Sequence, residues 1–149
     1  MLTVEPEIVE DYVRGGQVRL VFRDVLNHGE RSERTSEAAA CAGQQGYFWQ
    51  MHEMLFAQQD VVWGTGESQL VNLMISIAAG LDGLNHAAFG ACLADRQTLE
   101  ALRAADAEQR GRGIVYQPVF EIGQRRLAGL QPFEVMSAAI EEAIAASGS

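Results

Sequence analysis

The chain has 149 residues, 48% of them hydrophobic, which is enough for one domain with a substantial core. Its formal charge is −9 and it contains no lysine, so we expect it to bind neither nucleic acid nor an anionic membrane surface. No apolar run reaches the roughly 18 residues of a membrane-spanning helix, and the N-terminus does not resemble a secretion signal. The sequence as written therefore predicts a cytoplasmic protein without membrane partners.

The first 34 residues are predicted to form a short helix, a strand and a loop. Residues 5–14 are expected to be helical, since Pro6 suits a first turn and Gly15-Gly16 ends the apolar pattern. Residues 17–24 alternate apolar and polar side chains, which is typical of a strand with one exposed face. The charged stretch 27–34 predicts a solvated loop.

The middle of the chain, from Thr35 to about Gly111, is helical in all its apolar patterns. Five helices are expected there, separated by glycines and opened in most cases by residues that cap helix N-termini. Their predicted starts are Ser36, Tyr47, Ser68, Asn85 and Asp95. Residues 58–67 form the longest predicted irregular connection.

The last third of the chain predicts a β-hairpin followed by an amphipathic helix. Residues 119–122 form a short β-rich run after Pro118, and Gly123-Gln124 occupies the position of a two-residue turn. Residues 125–130 are the predicted return strand. Pro132 suits the first turn of the final helix, whose apolar residues recur at three- and four-residue spacing: Phe133, Met136, Ile140 and Ile144. We expect that helix to cover one face of the hairpin.

Two blocks of the sequence carry a resemblance to a known family. The first is the closing pattern formed by Val115, Pro118, Phe120, Gly123, Leu127, Gly129, Gln131 and Pro132. The second runs from Glu37 to Phe56 and reads EAAACAGQQGYFWQMHEMLF. Both resemble the DsbA-like thiol-disulfide oxidoreductases of the thioredoxin superfamily. The resemblance implies an α/β protein, with a thioredoxin-like fold that carries a large helical insertion. The family is often extracytoplasmic, in contrast to the cytoplasmic location predicted from the sequence as written.

The resemblance also implies a division of the single domain. Residues 1–34 and 113–149 correspond to the thioredoxin-like part, and residues 35–112 correspond to the helical insertion. The reactive Cys-x-x-Cys pair of the family does not occur in this sequence, whose cysteines are Cys41 and Cys92. We therefore expect an N-terminally truncated domain, which lacks both the first core strand and the start of the cysteine-bearing helix.

The two cysteines allow two interpretations. A free cysteine is among the residue types most often buried, which favours two packed thiols. The resemblance implies instead that Cys41 and Cys92 form a structural, non-catalytic disulfide, as cysteines at these positions do in many relatives. A catalytic role is disfavoured because neither cysteine has an electropositive, exposed setting.

The proline at position 118, preceded by Gln117, is the main candidate for function. On the residues alone, Pro118 is expected to follow a trans bond and open an edge strand, because only about 5–6% of X-Pro bonds are cis. The resemblance implies a cis bond in a loop that pairs with an extended substrate peptide by strand addition. Relatives usually have threonine or valine in place of Gln117. We take Gln117 and Pro118 as candidate substrate-binding residues.

No metal or cofactor site is predicted. His28 and His52 each have a glutamate nearby, but they lack the paired spacing of a helical zinc site. The aromatic residues of Tyr47-Phe48-Trp49 have the spacing of a packed helix, which favours a core position over cofactor stacking. We expect no bound cofactor, and a protein or peptide as the partner.

Three functions stay open at this point. A redox-inactive module that binds peptide or protein is the first, because thiol exchange needs an attacking and a resolving thiol. The second is an active disulfide oxidoreductase or isomerase whose Cys-x-x-Cys lies in a missing N-terminal segment, so enzymatic activity is undecided. The third is a glutathione-transferase-like or isomerase-like relative that binds a thiol cofactor.

The missing core strand leaves a gap in the sheet, and buried unpaired backbone groups are costly. Three ways of closing the gap stay open: direct pairing of the two flanking strands, a segment from a second copy, or the absent N-terminal portion. The exposed apolar surface favours the second copy, so we predict a homodimer.

Overall fold

The structure is a computed structural model that describes residues 4–148 of the chain. The described residues form eight α-helices and one two-stranded antiparallel sheet, so the fold is mixed α and β. Residues 1–3 and 149, which the predicted thioredoxin-like part includes, lie outside the described residues.

The chain divides into two compact units. The described part of unit 1 comprises residues 4–23 and 114–148, and unit 2 comprises residues 24–113. Unit 1 therefore contains both ends of the described chain, while unit 2 is one continuous segment. Both strands of the described chain belong to unit 1.

Unit 1 combines an N-terminal helix, a hairpin and a C-terminal helix. Its elements are α1 (Glu5–Ile8), continued by a π-helical turn at Val9–Val13, β1 (Val119–Ile122), β2 (Arg125–Ala128) and α8 (Phe133–Ser147). The predicted hairpin is confirmed, with Phe120 paired to Leu127 and a turn at Gly123, which has a φ of 57°. Glycine adopts such a φ without the steric cost that a side chain would bring.

The core of unit 1 is small. Ile8 and Tyr12 of the N-terminal helix pack with Met136 and Ile140 of α8. Partly buried residues of the hairpin complete this core: Phe120, Ile122 and Leu127. The predicted contact between the final helix and one face of the hairpin is thereby confirmed.

The strand predicted over residues 17–24 is not formed in the described chain, where residues 18–26 are irregular. Val18 still packs against the core of unit 1, whereas Val21 is 50% exposed. An alternating pattern predicts which side chains are buried, but a strand also requires a neighbour that completes its hydrogen-bond ladder. The described sheet consists of β1 and β2 only.

Unit 2 is built from six helices. They are α2 (Glu30–Gly43), α3 (Phe48–Ala57), α4 (Gln59–Gly64), α5 (Leu70–Ala78), α6 (His86–Ala94) and α7 (Leu99–Gly111), with a 3-10 turn at Glu67–Gln69 before α5. Large apolar side chains fill its interior, among them Met51, Met74, Phe89 and Leu93.

The start of α2 differs from the prediction. The loop predicted over residues 27–34 is wrong beyond Gly29, because α2 begins at Glu30. Glu30 and Glu33 favour a helix N-terminus, and Glu30 pairs with Arg34 one turn later at 2.7 Å. Charges that suggest a solvated loop therefore stabilise the first turns of a helix.

A short helix was also missed, and another begins later than predicted. The stretch 58–67 contains α4, which ends at Gly64. Asn85 caps α6 as predicted, since its side chain accepts a hydrogen bond from the Ala88 N–H at 3.0 Å. Asp95 does not open α7, because Arg96 has a positive φ of 49° and places a turn between the two helices.

Candidate functional site

The bond between Gln117 and Pro118 is cis. Pro118 is partly buried, and its carbonyl oxygen accepts a hydrogen bond from the Gly129 N–H at 2.8 Å. This bond extends the ladder of β1 and β2 by one pair beyond Val119 and Ala128. Pro118 is therefore fixed at the open end of the hairpin, opposite the turn.

Large apolar side chains are exposed at this end of the hairpin. Val115 is 52% exposed and Tyr116 is 51% exposed, immediately before the cis bond. Leu130 follows Gly129 and is 74% exposed, the highest value among the exposed large apolar residues of the described chain. The hydrogen bond between Pro118 and Gly129 holds these two stretches at the same end of the hairpin. We call Val115, Tyr116, Pro118 and Leu130 the proline surface.

The backbone of β1 has two edges. Residues 118, 120 and 122 occupy the hydrogen-bonded pairs with β2, as the bond from Gly129 to Pro118 shows. Antiparallel ladders alternate, so the N–H and C=O groups of Val119 point toward the opposite edge of the strand. An added strand would pair with β1 along that edge.

The ion pairs of the hairpin lie toward its turn. Arg126 Nη2 is 2.8 Å from Glu121 Oε1 across the ladder, and Arg125 Nη1 is 3.2 Å from Glu142 Oε2 of α8. The proline surface contains no charged side chain. The hairpin is therefore charged near the turn and apolar near Pro118.

Cys41 and Cys92, the other residues that the sequence singles out, are joined by a disulfide. Their Cα atoms are 5.9 Å apart although 51 positions separate them in sequence. Cys41 on α2 is 1% exposed and Cys92 on α6 is 3% exposed. Neither sulfur offers an accessible thiolate, which is the reactive form of cysteine.

A second link between α2 and the region of α6 lies one helical turn from the disulfide. Glu37 is fully buried on α2, and Arg96, just after α6, donates to both of its carboxylate oxygens at 3.2 and 3.1 Å. Hydrogen bonding to Glu37 is the main cause that raises the pKa of Arg96. Burial raises the pKa of Glu33, but hydrogen bonds from Arg103 and Arg96 outweigh it and lower that pKa below its ordinary value.

The histidines take part in aromatic contacts. The ring of His28 meets Trp63 edge-on at 4.9 Å, and His52 lies among aromatic rings of its own helix. Across residues 4–148, no group of three or more histidine, cysteine, aspartate or glutamate side chains is arranged to hold a metal ion.

The structure thus joins Cys41 and Cys92 by a disulfide. At the end of the hairpin that contains Gln117 and Pro118, it also exposes Tyr116 and Leu130, which sequence reasoning did not select. Their signal was the presence of large apolar side chains directly beside glycine and proline in connecting segments, where polar residues are more usual.

Comparison with known proteins gives one family and two informative relatives. The thioredoxin family matches residues 1–142 of the chain. The protein named Na(+)/H(+) antiporter NhaA 3 of Salinispora tropica is 32% identical over 146 residues, which cover 96% of this chain and 21% of that protein. The protein named Na(+)/H(+) antiporter NhaA 1 of Salinispora arenicola is 35% identical over 145 residues, which cover 95% of this chain and 21% of that protein.

The chain therefore spans about one fifth of the length of the curated relatives it matches. Within residues 4–148, no helix combines the length and the apolar character needed to cross a membrane.

Proposed function

Because the chain belongs to the thioredoxin family, we propose that it is a DsbA-like domain that binds an extended protein segment along Gln117 and Pro118. The proline surface is the observation that carries this proposal, since Tyr116 and Leu130 are large, apolar and more than half exposed. In the proposed complex the segment adds a strand beside β1, and its apolar side chains cover Tyr116 and Leu130.

In this proposal the two cysteines of the chain are structural. Thiol exchange starts with attack by a thiolate, and both Cys41 and Cys92 are buried and bonded to each other. The proposed activity is therefore binding without electron exchange at these residues. A disulfide persists best in an oxidising compartment, so we propose an extracytoplasmic location in place of the cytoplasmic one that the sequence suggested.

The experiment measures binding of alkylated insulin B chain, whose blocked thiols prevent exchange, by fluorescence anisotropy. Leu130→Glu places a charge in the proline surface and is expected to weaken binding about tenfold or more, the effect of losing one well-packed anchor residue. Val61→Glu is the matched control, because Val61 is 51% exposed and lies on α4 of unit 2. Equal binding by all three proteins, or equal loss in both variants, would contradict the proposal.

An active disulfide oxidoreductase is the second candidate, and membership of the thioredoxin family favours it. In that case the reactive pair comes from residues other than these 149, since Cys41 and Cys92 are bonded to each other. Insulin reduction assays separate the two candidates. Turnover by the 149-residue chain would refute the redox-inactive proposal, whereas turnover only by a natural product that also contains a Cys-x-x-Cys pair would support the second candidate.

A second copy of the chain is the competing occupant of the proline surface, and a homodimer remains our prediction for the unliganded protein. The Leu130→Glu variant tests the homodimer as well. Sedimentation of the wild type and of Leu130→Glu, over a range of concentrations, is expected to show a dimer that the substitution dissociates. A wild type that stays monomeric at high concentration would exclude the dimer and leave peptide binding unaffected.

A further inference from the structure

The face of the hairpin that points away from the core changes from apolar to charged along its length. The residues that pack into the core of unit 1 alternate along the strands, and they are Phe120, Ile122 and Leu127. Successive side chains of a strand point to opposite faces, so the outer face carries two cross-strand pairs. Val119 lies opposite Ala128, and Glu121 lies opposite Arg126 closer to the turn. A strand that joins the hairpin therefore meets an apolar position and, two residues along, a charged one.

The two edges of the hairpin present opposite charges to such a strand. In the ladder, Val119 and Glu121 direct their backbone N–H and C=O groups to the edge of β1. Arg126 and Ala128 direct theirs to the edge of β2. The edge of β2 is partly closed, because the Ala128 carbonyl accepts a hydrogen bond from Gln131 Nε2 at 2.7 Å. This contact favours the edge of β1, where the nearest charge is a carboxylate.

The carboxylate of Glu121 has capacity for another donor while it holds Arg126. Two hydrogen bonds, at 2.8 and 3.2 Å, join Arg126 to the same carboxylate oxygen of Glu121, Oε1. A carboxylate has about four acceptor sites on its two oxygens, so these two bonds do not exhaust it. The Glu121 side chain is 34% exposed, which leaves it accessible to a cation from a neighbouring strand.

We propose that the segment bound at the proline surface carries a lysine or arginine next to Glu121 and an apolar residue two positions away, next to Val119. This inference rests on the proposed strand addition beside β1. Neighbouring strands lie about 4.8 Å apart, so the cation of the segment is one strand from Glu121 and two strands, about 10 Å, from Arg126. Attraction at the shorter distance exceeds repulsion at the longer one, and the charges alternate in sign across the three strands.

The charge of the whole chain acts in the same direction. The chain has a formal charge of −9, which favours encounter with a basic segment over an acidic one. The other ion pair of the hairpin does not select, because Arg125 and Glu142 meet at 3.2 Å on the side that faces α8. The selection is therefore assigned to Glu121.

The test uses three labelled peptides of sequence Ser-Val-Thr-X-Thr-Val-Ser, in which X is lysine, glutamine or glutamate. The sequence is symmetrical, so a valine lies two positions from X whichever way the peptide runs. Fluorescence anisotropy is expected to give the lysine peptide a Kd about threefold below that of the glutamine peptide, and the glutamate peptide a Kd about threefold above it, the effect of one exposed cross-strand charge pair. High salt is expected to reduce both differences.

Two variants and one control assign the preference to its residue. Glu121→Arg combined with Arg126→Glu retains an ion pair in reversed order, and is expected to bind the glutamate peptide about tenfold more tightly than the lysine peptide. Glu121→Gln is expected to lose the preference for lysine. Glu142→Gln is the matched control, because it removes the same charge on the side of α8 and should retain the preference of the wild type.

Three results would overturn this inference and leave binding at the proline surface in place. They are equal binding of the three peptides by the wild type, tighter binding of the glutamate peptide by the wild type, which indicates the edge of β2, and a lysine preference that persists in Glu121→Gln. Absence of binding by all three peptides, or binding that Leu130→Glu does not weaken, would contradict the proposed function itself and this inference with it.

Discussion

Each of the two units of this protein is stabilised in its own way. Unit 2 encloses a helical core and adds a disulfide and a partly buried ion pair, both between α2 and the region of α6. Unit 1 relies on a small apolar core and on polar contacts with α8, among them those of Tyr12 Oη with Ser137 Oγ at 2.5 Å and with Glu141 Oε1 at 3.1 Å.

The difference indicates that stability depends mainly on unit 2 and binding mainly on unit 1. Unit 2 contains internal links that keep its helices in register, whereas unit 1 leaves the proline surface exposed at one end of its hairpin. An exposed apolar surface of this kind is typical of a binding site. We therefore expect substitutions in unit 2 to affect stability most strongly, and substitutions at the proline surface to affect binding.

The largest effect is expected from removing the disulfide. Replacing Cys41 and Cys92 by alanine opens a link across 51 positions, and the chain-entropy estimate for such a loop is about 4 kcal/mol of unfolding free energy. Urea unfolding measures this change, and hydrogen exchange should locate it in unit 2. A greater loss of amide protection in unit 1 than in unit 2 would contradict the view that the disulfide stabilises unit 2.

The next effect is expected from Glu37→Gln. The substitution keeps the shape of the side chain and removes its charge, which weakens two charge-assisted bonds from Arg96. A destabilisation of about 2 kcal/mol follows, because Glu37 is fully buried whereas Arg96 is partly exposed and keeps other carboxylate partners. Glu53→Gln on the exposed face of α3 serves as the control and should change stability by less than about 0.5 kcal/mol.

A smaller effect is expected from Tyr12→Phe in unit 1. The variant keeps the packing of the ring and removes the hydroxyl that links the N-terminal helix to α8, at a cost of about 1 kcal/mol. Amide exchange should increase in α1 and α8 and stay constant in α5. Equal increases in both units would show that the units unfold together.

The smallest effect concerns acid stability. Burial raises the pKa of Asp106, but hydrogen bonds from Arg110 and from the Leu26 N–H outweigh it and lower that pKa. A lowered folded pKa contributes stability above the unfolded pKa, and this stability is lost as the pH falls through the folded pKa. Asp106→Asn is therefore expected to flatten the fall of the melting temperature on acidification. If the melting temperature of Asp106→Asn falls on acidification as steeply as that of the wild type, groups other than Asp106 are responsible for the acid sensitivity.

The elements that sequence reasoning recovered depend on local chemistry. A glycine at the hairpin turn, Pro132 before the final helix and Asn85 at the start of α6 each act within a few residues. Such signals need no knowledge of the distant chain. The α2 boundary was misplaced because the charges at positions 30–34 stabilise each other only once a helix has formed.

The remaining features depend on partners that are distant in sequence. Glu37 and Arg96 are 59 positions apart, and no local pattern predicts that they meet. The irregular conformation of residues 18–26 depends in the same way on the neighbours available to it. For Cys41 and Cys92 the residues alone left two interpretations, and the resemblance supplied the one that implies a bond.

The disulfide and the Glu37–Arg96 pair are four positions apart on both segments that they join. Positions 37 and 41 on one side meet positions 96 and 92 on the other, so the chain runs in opposite directions through two cross-links one helical turn apart. Two such anchor points prevent α2 and α6 from sliding past each other. We expect residues inserted at the exposed Gly66, in the connection after α4, to leave these two anchored ends in place.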